Sequence, residues 1–389
     1  MQTDVDLVIL GGGCAGLSLG TRLAEFGATS PTAMILEARI HYTNDRTWCF
    51  WEDGDSRLQS SIKHRWQKLG LRAQGRELSV DCGTNPYCLL PAEEFYRAAV
   101  AAISRSERVN LTMNEKILTP PRKTGDRWMV DTANGSFNAK MVVDTRPTQQ
   151  PKRGGAILWQ SFYGREIECD VDTFDSSRAD LMDFSPGGDA NIRFTYCLPM
   201  SSTRALIETT VFGVEPQNRL ALSRELDTAI ERYVAHSGYI VLRSEEGILP
   251  MGITPVKADP DKTYVRVGLT SGGARPSTGY AFQRIQRWAD KCAQNLQAGQ
   301  LPLGHAPDPF LLRAMDRLFL SVLRARPAEA PLMFLSLFEK VHSSRLIRFL
   351  GDGGSLLDYA IVASSLPIRF FLAEIPTAFF RATERRAAR

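Results

Sequence analysis

The hydrophobic pattern is clearest at the start of the chain, where it predicts a strand, a helix and a second strand. Residues 5–10 form a short apolar run of the kind found in buried strands. After three consecutive glycines, large apolar residues recur at helical spacing as far as residue 26, and a second apolar run occupies residues 32–36. This order of segments predicts a βαβ unit.

The pattern changes character at about residue 151. Before that point we predict a helix at residues 92–104 and strands at 109–113, 128–132 and 137–144. After it, four alternating strands are predicted at 156–163, 179–184, 192–198 and 205–212, followed by a helix at 221–237, a strand at 263–269 and a helix after residue 280. Residues 41–51 and 248–252 are predicted to be loops.

The three glycines belong to a G-x-G-x-x-G motif formed by Gly11, Gly13 and Gly16. In such a motif the first glycine makes the tight turn, the second lets a pyrophosphate approach the backbone, and the third lets helix and strand pack closely. The second strand ends in Glu37, about 20 residues further on, where an acidic side chain accepts a hydrogen bond from a ribose hydroxyl. These features together predict a dinucleotide site; the alternative is a glycine-rich turn in another βαβ unit.

A second glycine-rich segment lies between the predicted strand at 263–269 and the helix after residue 280. It contains Gly268, Gly272, Pro276 and Gly279. A glycine-rich loop that leads into a helix N-terminus presents free N–H groups to an anion. We therefore predict that these four residues return to the cofactor.

These elements predict an α/β fold with a discontinuous Rossmann-type nucleotide-binding domain, an inserted antiparallel β-sheet domain and a C-terminal helical region. A chain of 389 residues is long for one hydrophobic core, which favours two lobes. We assign residues 1–75, 86–150 and 250–300 to the nucleotide-binding domain. Residues 76–85 and 151–249 are assigned to the inserted substrate domain, and residues 301–389 to a helical, membrane-contacting region.

Two further segments carry candidate site residues. The predicted loop at 41–51 contains Arg46, which we place in the cofactor-binding set, and three aromatic residues, Trp48, Phe50 and Trp51. This loop either frames an apolar pocket beside the cofactor or folds back on the core. In the predicted strand at 205–212, alternation places Glu208 on the same face as its neighbours two positions away. On pattern alone, a glutamate in such a strand faces solvent.

Composition excludes several other classes of protein. The 47 basic and 43 acidic residues give a net charge of +4, too small to indicate nucleic-acid binding, and the apolar fraction of 43% is ordinary for a globular protein. The seven cysteines include no C-x-x-C pair, which favours reduced thiols in a cytoplasmic protein, and we predict no metal site. We expect no signal peptide, because acidic residues stand where a basic segment would be needed.

The last ninety residues are predicted to be helical and strongly apolar. Prolines and charges interrupt the final apolar segment, so a membrane-spanning helix is not expected. Phe379 and Phe380 precede a tail that contains four arginines, a composition that suits a helix lying in a membrane interface. The alternative is an ordinary helical cap with a solvated basic tail.

The combined motifs resemble those of bacterial lycopene β-cyclases over nearly the whole chain. The similar segments are the glycine motif at 10–17, the loop at 46–50, the strand at 206–210 and the loop at 275–280. The strand reads Leu-Ile-Glu-Thr-Thr and is similar to the Phe-Leu-Glu-Glu-Thr motif of plant relatives, with Glu208 in the first glutamate position. Thr209 takes the second position, which departs from the family pattern.

The resemblance implies an FAD-dependent isomerase that closes the ends of lycopene to β-rings, giving γ-carotene and then β-carotene. It implies reduced FAD, electrons from NAD(P)H, a peripheral membrane location and Glu208 as a residue for proton transfer. Two other functions stay open. One is an FAD-dependent hydroxylase or polyprenyl reductase of the same architecture, and the other is a non-enzymatic carrier of prenyl or carotenoid lipids.

Overall fold

The computed structural model describes residues 2–379, except 53, 55, 148–155, 186–189, 236 and 254–258. The strands are β1 Gln2–Leu10, β2 Ala33–Leu36, β3 Thr47–Trp51, β4 His64–Trp66, β5 Lys68–Ala73, β6 Arg76–Asp81, β7 Tyr87–Pro91, β8 Val109–Thr112, β9 Arg122–Thr124, β10 Arg127–Asp131, β11 Ser136–Asp144, β12 Leu158–Cys169, β13 Arg178–Asp183, β14 Ile192–Pro199, β15 Arg204–Gly213, β16 Tyr239–Met251 and β17 Tyr264–Arg266. The helices are α1 Cys14–Glu25, α2 Ala92–Ile103, α3 Arg219–Val234, α4 Phe282–Gln297, α5 Phe310–Ala325, α6 Ala330–Lys340, α7 Ser343–Leu350, α8 Leu356–Ser365 and α9 Ile368–Phe379.

The first sheet has the order β8-β2-β1-β11-β10-β9, with β17 also paired to β11. Strand β1 pairs in parallel with β2 and β11, and these three strands form the centre of the sheet. Helices α1, α2 and α4 pack on one face through the buried side chains Leu17, Phe95 and Ile285. The predicted βαβ unit is confirmed, and the burial of Ile285, Trp288 and Cys292 confirms the apolar face predicted for α4.

The second sheet has the order β16-β12-β15-β14-β13-β5-β6. All its pairs are antiparallel except that of β13 with β5. Helix α3 covers one face through Leu226 and Ile230. The other face shares a large apolar core with the C-terminal helices, which contribute Leu320, Met333 and Phe349. The observed architecture confirms the predicted fold class.

Three segments differ from the sequence prediction. Residues 47–51, predicted to be a loop, form β3 in a small three-stranded sheet of order β3-β7-β4. Residues 248–251, also predicted to be in a loop, are the end of the long strand β16. Strand β5 pairs with β13 of the second sheet, although the predicted boundary kept residues up to 75 in the nucleotide-binding domain. In each case the pairing partner is distant in sequence, so local pattern does not reveal it.

Candidate functional site

The G-x-G-x-x-G motif has the geometry that its three glycines predict. Gly11 has a φ of +96°, a left-handed conformation that favours glycine. A Cβ atom at Gly16 would lie 2.0 Å from the carbonyl oxygen of Gly11, so only glycine allows this packing of α1 against the turn. At Gly13, by contrast, no atom lies within 4 Å of the Cβ position. The backbone at Gly13 therefore faces open space that a phosphate group can enter.

The N-terminus of α1 lies beside this space. Gly13 precedes the helix without a side-chain cap, and its first turn contains no acidic residue. Burial raises the pKa of the Cys14 thiol to about 12, and a hydrogen bond with Ser18 and the positive charges of Arg46 and Arg22 act in the opposite direction. Free N–H groups and the helix dipole together form a site suited to an anion. Arg46 is ion-paired with Asp45 at 2.7 Å.

Glu37 lies at the end of β2 and contacts the glycine turn directly. Its Oε2 atom accepts a hydrogen bond from the backbone N–H of Gly12 at 2.7 Å, and its Oε1 atom accepts one from Nε of Arg39 at 3.0 Å. Burial favours the neutral carboxyl, but the hydrogen bonds and charge of Arg39 outweigh it and lower the pKa of Glu37. The carboxylate is therefore held ionised beside the turn.

The second glycine-rich loop begins next to the first motif. The N–H of Val267 donates to the carbonyl of Asp144, and the N–H of Thr145 donates to that of Leu10, both at 2.9 Å. Gly268 follows immediately, and its N–H donates to Nε2 of His305 at 3.1 Å. Gly272 lies beside the same histidine, with its Cβ position 3.4 Å from the Cβ of His305. The structure thus brings Gly268 and Gly272 to the predicted cofactor region.

The other half of this loop reaches the second sheet. The carbonyl of Pro276 accepts from the N–H of Gly252 at 3.2 Å, and the Cβ position of Gly279 lies 3.3 Å from Oε1 of Gln160 on β12. Just before Pro276, the almost fully buried Arg275 forms an ion pair of 3.1 Å with Asp316 of α5. The loop is therefore fixed to both sheets and to the C-terminal helices.

The three aromatic residues of β3 lie on different faces of that strand, which differs from their prediction as one pocket-lining group. Trp48 and Phe50 each stack on Phe282, with ring centroids 5.0 Å apart, within the core of the nucleotide-binding domain. Trp51 points the other way and contacts the ring of Tyr87 at 5.1 Å. Because alternate side chains of a strand point to opposite faces, only Trp51 of the three lies on the side of the second sheet.

Glu208 faces the interior, not solvent as pattern alone favoured. It lies on β15 between Tyr196 of β14 and Gly164 of β12, and Gly164 in turn pairs with Glu245 of β16. The Glu208 side chain lies deep within the molecule and keeps some accessible surface. These four paired positions, 196, 208, 164 and 245, are called the central row below.

The surroundings of Glu208 favour its neutral, protonated form. The pKa of Glu208 is raised, mainly by burial and further by the charge of Glu245. A 3.0 Å hydrogen bond from Thr210 and the charge of Arg243 lower this pKa, but they do not outweigh the first two effects. Burial also raises the pKa of Tyr87 and Tyr196 well above the ordinary value, and both feel the charge of Glu208. The site therefore contains a carboxylic acid among aromatic rings.

Several residues of this site are absent from the sequence prediction. Glu245 is 5% exposed, and its Oε2 atom accepts hydrogen bonds from Nη1 of Arg243 at 2.5 Å and from Oγ1 of Thr47 at 2.7 Å. Tyr280 contacts Trp51 with ring centroids 5.8 Å apart. The spacing of Arg243 and Glu245, two positions apart in a strand, indicates that both lie on one face of that strand. Their position near Glu208 depends on the order of the strands, which the local sequence does not give.

The C-terminal helices expose several large apolar side chains. Leu356 and Leu357 of α8 are 75% and 57% exposed, and Ile368 and Leu372 of α9 are 70% and 59% exposed. Within the described residues, no single helix is long and apolar enough to cross a membrane; α8 and α9, which meet at 109°, pass that test only as a bent pair. The predicted arginine tail lies outside the described residues.

Solved structures similar to this chain share its fold at low sequence identity. A geranylgeranyl bacteriochlorophyll reductase-like protein from Thermoplasma acidophilum is 13% identical with a TM-score of 0.59, and 99% of each chain is covered. A mutant of the halogenase PltM in complex with FAD is 11% identical with a TM-score of 0.60, covering 92% of this chain and 85% of that one. The fold is therefore one that flavoproteins use.

Sequence relatives point to one family. The lycopene β-cyclase of Pantoea ananas is 23% identical over 400 residues, covering 94% of this chain and 96% of that protein. The lycopene β-cyclase of Pseudescherichia vulneris is 25% identical over 311 residues, covering 77% of this chain and 76% of that protein. The family model described as lycopene cyclase protein matches residues 6–374. Because this match extends over nearly all of the sequence, the chain belongs to the lycopene cyclase family.

Proposed function

We propose that this protein is a lycopene β-cyclase that converts the linear ends of lycopene to β-rings, giving γ-carotene and then β-carotene, without net redox change. The observation that carries the proposal is the position of Glu208, a carboxylic acid that lies beside Tyr196 in an interior where burial raises its pKa. Ring closure of an uncharged polyene needs a proton donor of this kind, and a buried carboxyl remains an acid at neutral pH.

The residues around the two glycine loops fit FAD. Gly11, Gly13 and Gly16 would receive the pyrophosphate at the N-terminus of α1, where the open space at Gly13 leaves room for it. The remaining cofactor contacts that we propose are Glu37, Arg46, Gly268, Gly272, Pro276 and Gly279. Reduced FAD, with NAD(P)H as its source of electrons, would supply negative charge near the developing cation.

Glu208 is proposed to start the reaction by giving its proton to the terminal double bond of lycopene. The resulting tertiary carbocation is attacked by the neighbouring double bond of the same chain, which forms the ring bond. Loss of a proton from the ring then leaves the β-ring double bond, so one proton enters, one leaves and no electrons are transferred. The faces of Trp51, Tyr87 and Tyr280 would stabilise the cation.

The test is anaerobic incubation of the purified protein with lycopene in liposomes and dithionite-reduced FAD, followed by chromatography of the carotenoids. Formation of γ-carotene and then β-carotene is expected. A second arm supplies NAD(P)H in place of dithionite and measures its oxidation. Consumption of one NAD(P)H for each product molecule, with a hydrogenated or hydroxylated product, would instead favour the reductase or hydroxylase function.

We also propose that the exposed apolar side chains of α8 and α9 contact the membrane that holds the substrate. Lycopene is insoluble in water, and amphipathic helices bind bilayer interfaces through exposed apolar groups. Replacing Ile368 and Leu372 together by glutamate should weaken flotation with liposomes. Leu220→Glu on α3 is the matched control, because Leu220 is similarly exposed at 63%. Equal flotation of both variants and the wild type would contradict this membrane contact.

A further inference from the structure

We propose that Glu245 is the second carboxylate of the cyclisation site, a fixed negative charge that faces Glu208 across Gly164 and keeps Glu208 protonated. This inference rests on the proposed function and adds a residue to it. Glu245 acts through Glu208, and it is therefore a positioning residue. Position 209, next to Glu208 in the strand, holds threonine, so the acidic partner of Glu208 comes from another strand.

The central row places the two carboxylates on one face of the second sheet. Glu208 and Glu245 are both paired with Gly164, one on each side, so their Cα atoms are two strand spacings apart, about 10 Å. Gly164 does not have the left-handed φ that requires glycine. A Cβ atom there would lie 3.2 Å from the Cβ of Glu208 and 3.4 Å from its Cγ, closer than paired residues normally approach. The absent side chain therefore leaves the gap that Glu208 occupies.

Glu245 is held in place from two elements. Arg243 on its own strand and Thr47 on β3 both hydrogen-bond to its Oε2 atom, at 2.5 and 2.7 Å. Arg243 is itself fixed by Nε donation to Glu166 at 2.6 Å and by Nη2 donation to Thr47 at 2.6 Å. Because these contacts occupy the guanidinium, Arg243 pairs with Glu245 and Glu166 and acts on Glu208 only at longer range.

Charged and titratable groups face Glu208 from each strand and loop packed around it. They are Cys49 of β3, Tyr87 of β7, Tyr196 of β14, and Arg243 and Glu245 of β16. Tyr280, which follows the second glycine loop, lies near Tyr87 and Tyr196. Glu166 lies on the same face and is paired with Arg204 and Arg243. Within this set, Glu245 is the anion whose charge raises the pKa of Glu208, after burial itself. Like charges disfavour ionisation of a second carboxyl nearby.

The test is the pH dependence of lycopene cyclisation, measured with reduced FAD for the wild type, Glu245→Gln and two controls. The alkaline limit of the rate reports the ionisation of the proton donor. Removing the charge at 245 should move this limit to lower pH by about one unit, so that the rate above the midpoint falls about tenfold. Glu245→Asp keeps the charge and should keep the wild-type midpoint.

Glu246→Gln is the matched control, because Glu246 is the next residue and its side chain is 52% exposed on the opposite face beside Arg219. It should leave the pH profile unchanged. The same midpoint in Glu245→Gln and Glu246→Gln would overturn the inference. Absence of β-rings from the wild-type protein would instead overturn the proposed function, so the two failures are distinguishable.

A second variant keeps the inference testable if Glu245→Gln does not fold. Gly164→Ala places a methyl group in the gap that Glu208 occupies, and cyclisation should fall while flavin binding is retained. Gly238→Ala provides the control, because the atom nearest to its added Cβ would be a carboxylate oxygen of the exposed Asp170, at 2.8 Å. Wild-type cyclisation by Gly164→Ala would overturn the assigned geometry.

Discussion

Replacing Glu208 by glutamine should have opposite effects on activity and on stability. Glutamine keeps the size of the side chain but has no acidic proton, so the rate of cyclisation should fall by about 10²–10⁴-fold, the usual contribution of a general acid. Flavin affinity should be unchanged, because Glu208 is not among the proposed cofactor contacts.

The stability effect follows from the protonation of Glu208. Its surroundings raise its pKa from 4.5 to about 8. Between these pH values the unfolded chain releases this proton while the folded protein keeps it, so the wild-type free energy of unfolding falls as pH rises. Each pKa unit corresponds to about 1.36 kcal/mol, so the rise of about 3.5 units makes the penalty as large as ~5 kcal/mol above pH 8. Glu208→Gln removes this penalty.

The assay is urea unfolding of the wild type and Glu208→Gln at pH 4.5 and pH 9, together with turnover of lycopene at matched flavin occupancy. We expect similar free energies of unfolding at pH 4.5 and a clearly more stable variant at pH 9. Glu246→Gln controls for loss of a carboxylate at an exposed position of the same sheet. Equal stability of the two proteins at both pH values would refute the raised pKa of Glu208. Near-normal β-carotene formation by Glu208→Gln would refute its role as proton donor and make the flavin the candidate.

Other predictions concern the scaffold of the site. Gly13→Val should fold but lose flavin binding in a fluorescence titration, since its side chain would enter the open space; wild-type affinity would contradict this. Gly16→Ala should lower the melting temperature, because its Cβ would lie 2.0 Å from the carbonyl oxygen of Gly11; an unchanged melting temperature would contradict this packing. Arg275→Met leaves Asp316 buried without its cation, which should cost about 3–5 kcal/mol in urea unfolding; an unchanged midpoint would argue against this role.

Local sequence was sufficient where one segment contains the whole feature. The glycine motif, the strand that ends in Glu37 and the apolar face of α4 each lie within about twenty residues, so spacing alone defines them. The same is true of the alternation that placed Glu208 and Leu206 on one face of β15. Leu206 is buried in the core shared with the C-terminal helices, as that alternation allows.

The sequence could not reveal features that depend on strand order. Glu245 and Glu208 are 37 positions apart in the chain and meet only because β12 lies between β15 and β16. Trp48 and Trp51 were grouped by proximity in sequence, whereas the pairing of β3 with β7 makes a strand and sends them to opposite faces. Long-range pairing is set by tertiary packing, which local periodicity does not encode.

The measurement that tests the central claim most directly is cyclisation of lycopene in buffered D₂O with reduced FAD, followed by mass spectrometry of the products. Proton-initiated ring closure adds one solvent-derived deuterium and releases one hydrogen for each ring formed. The account therefore predicts γ-carotene with one deuterium and β-carotene with two, without stoichiometric oxidation of the flavin. β-Carotene without deuterium, or a product that has gained two hydrogens or an oxygen atom, would contradict it.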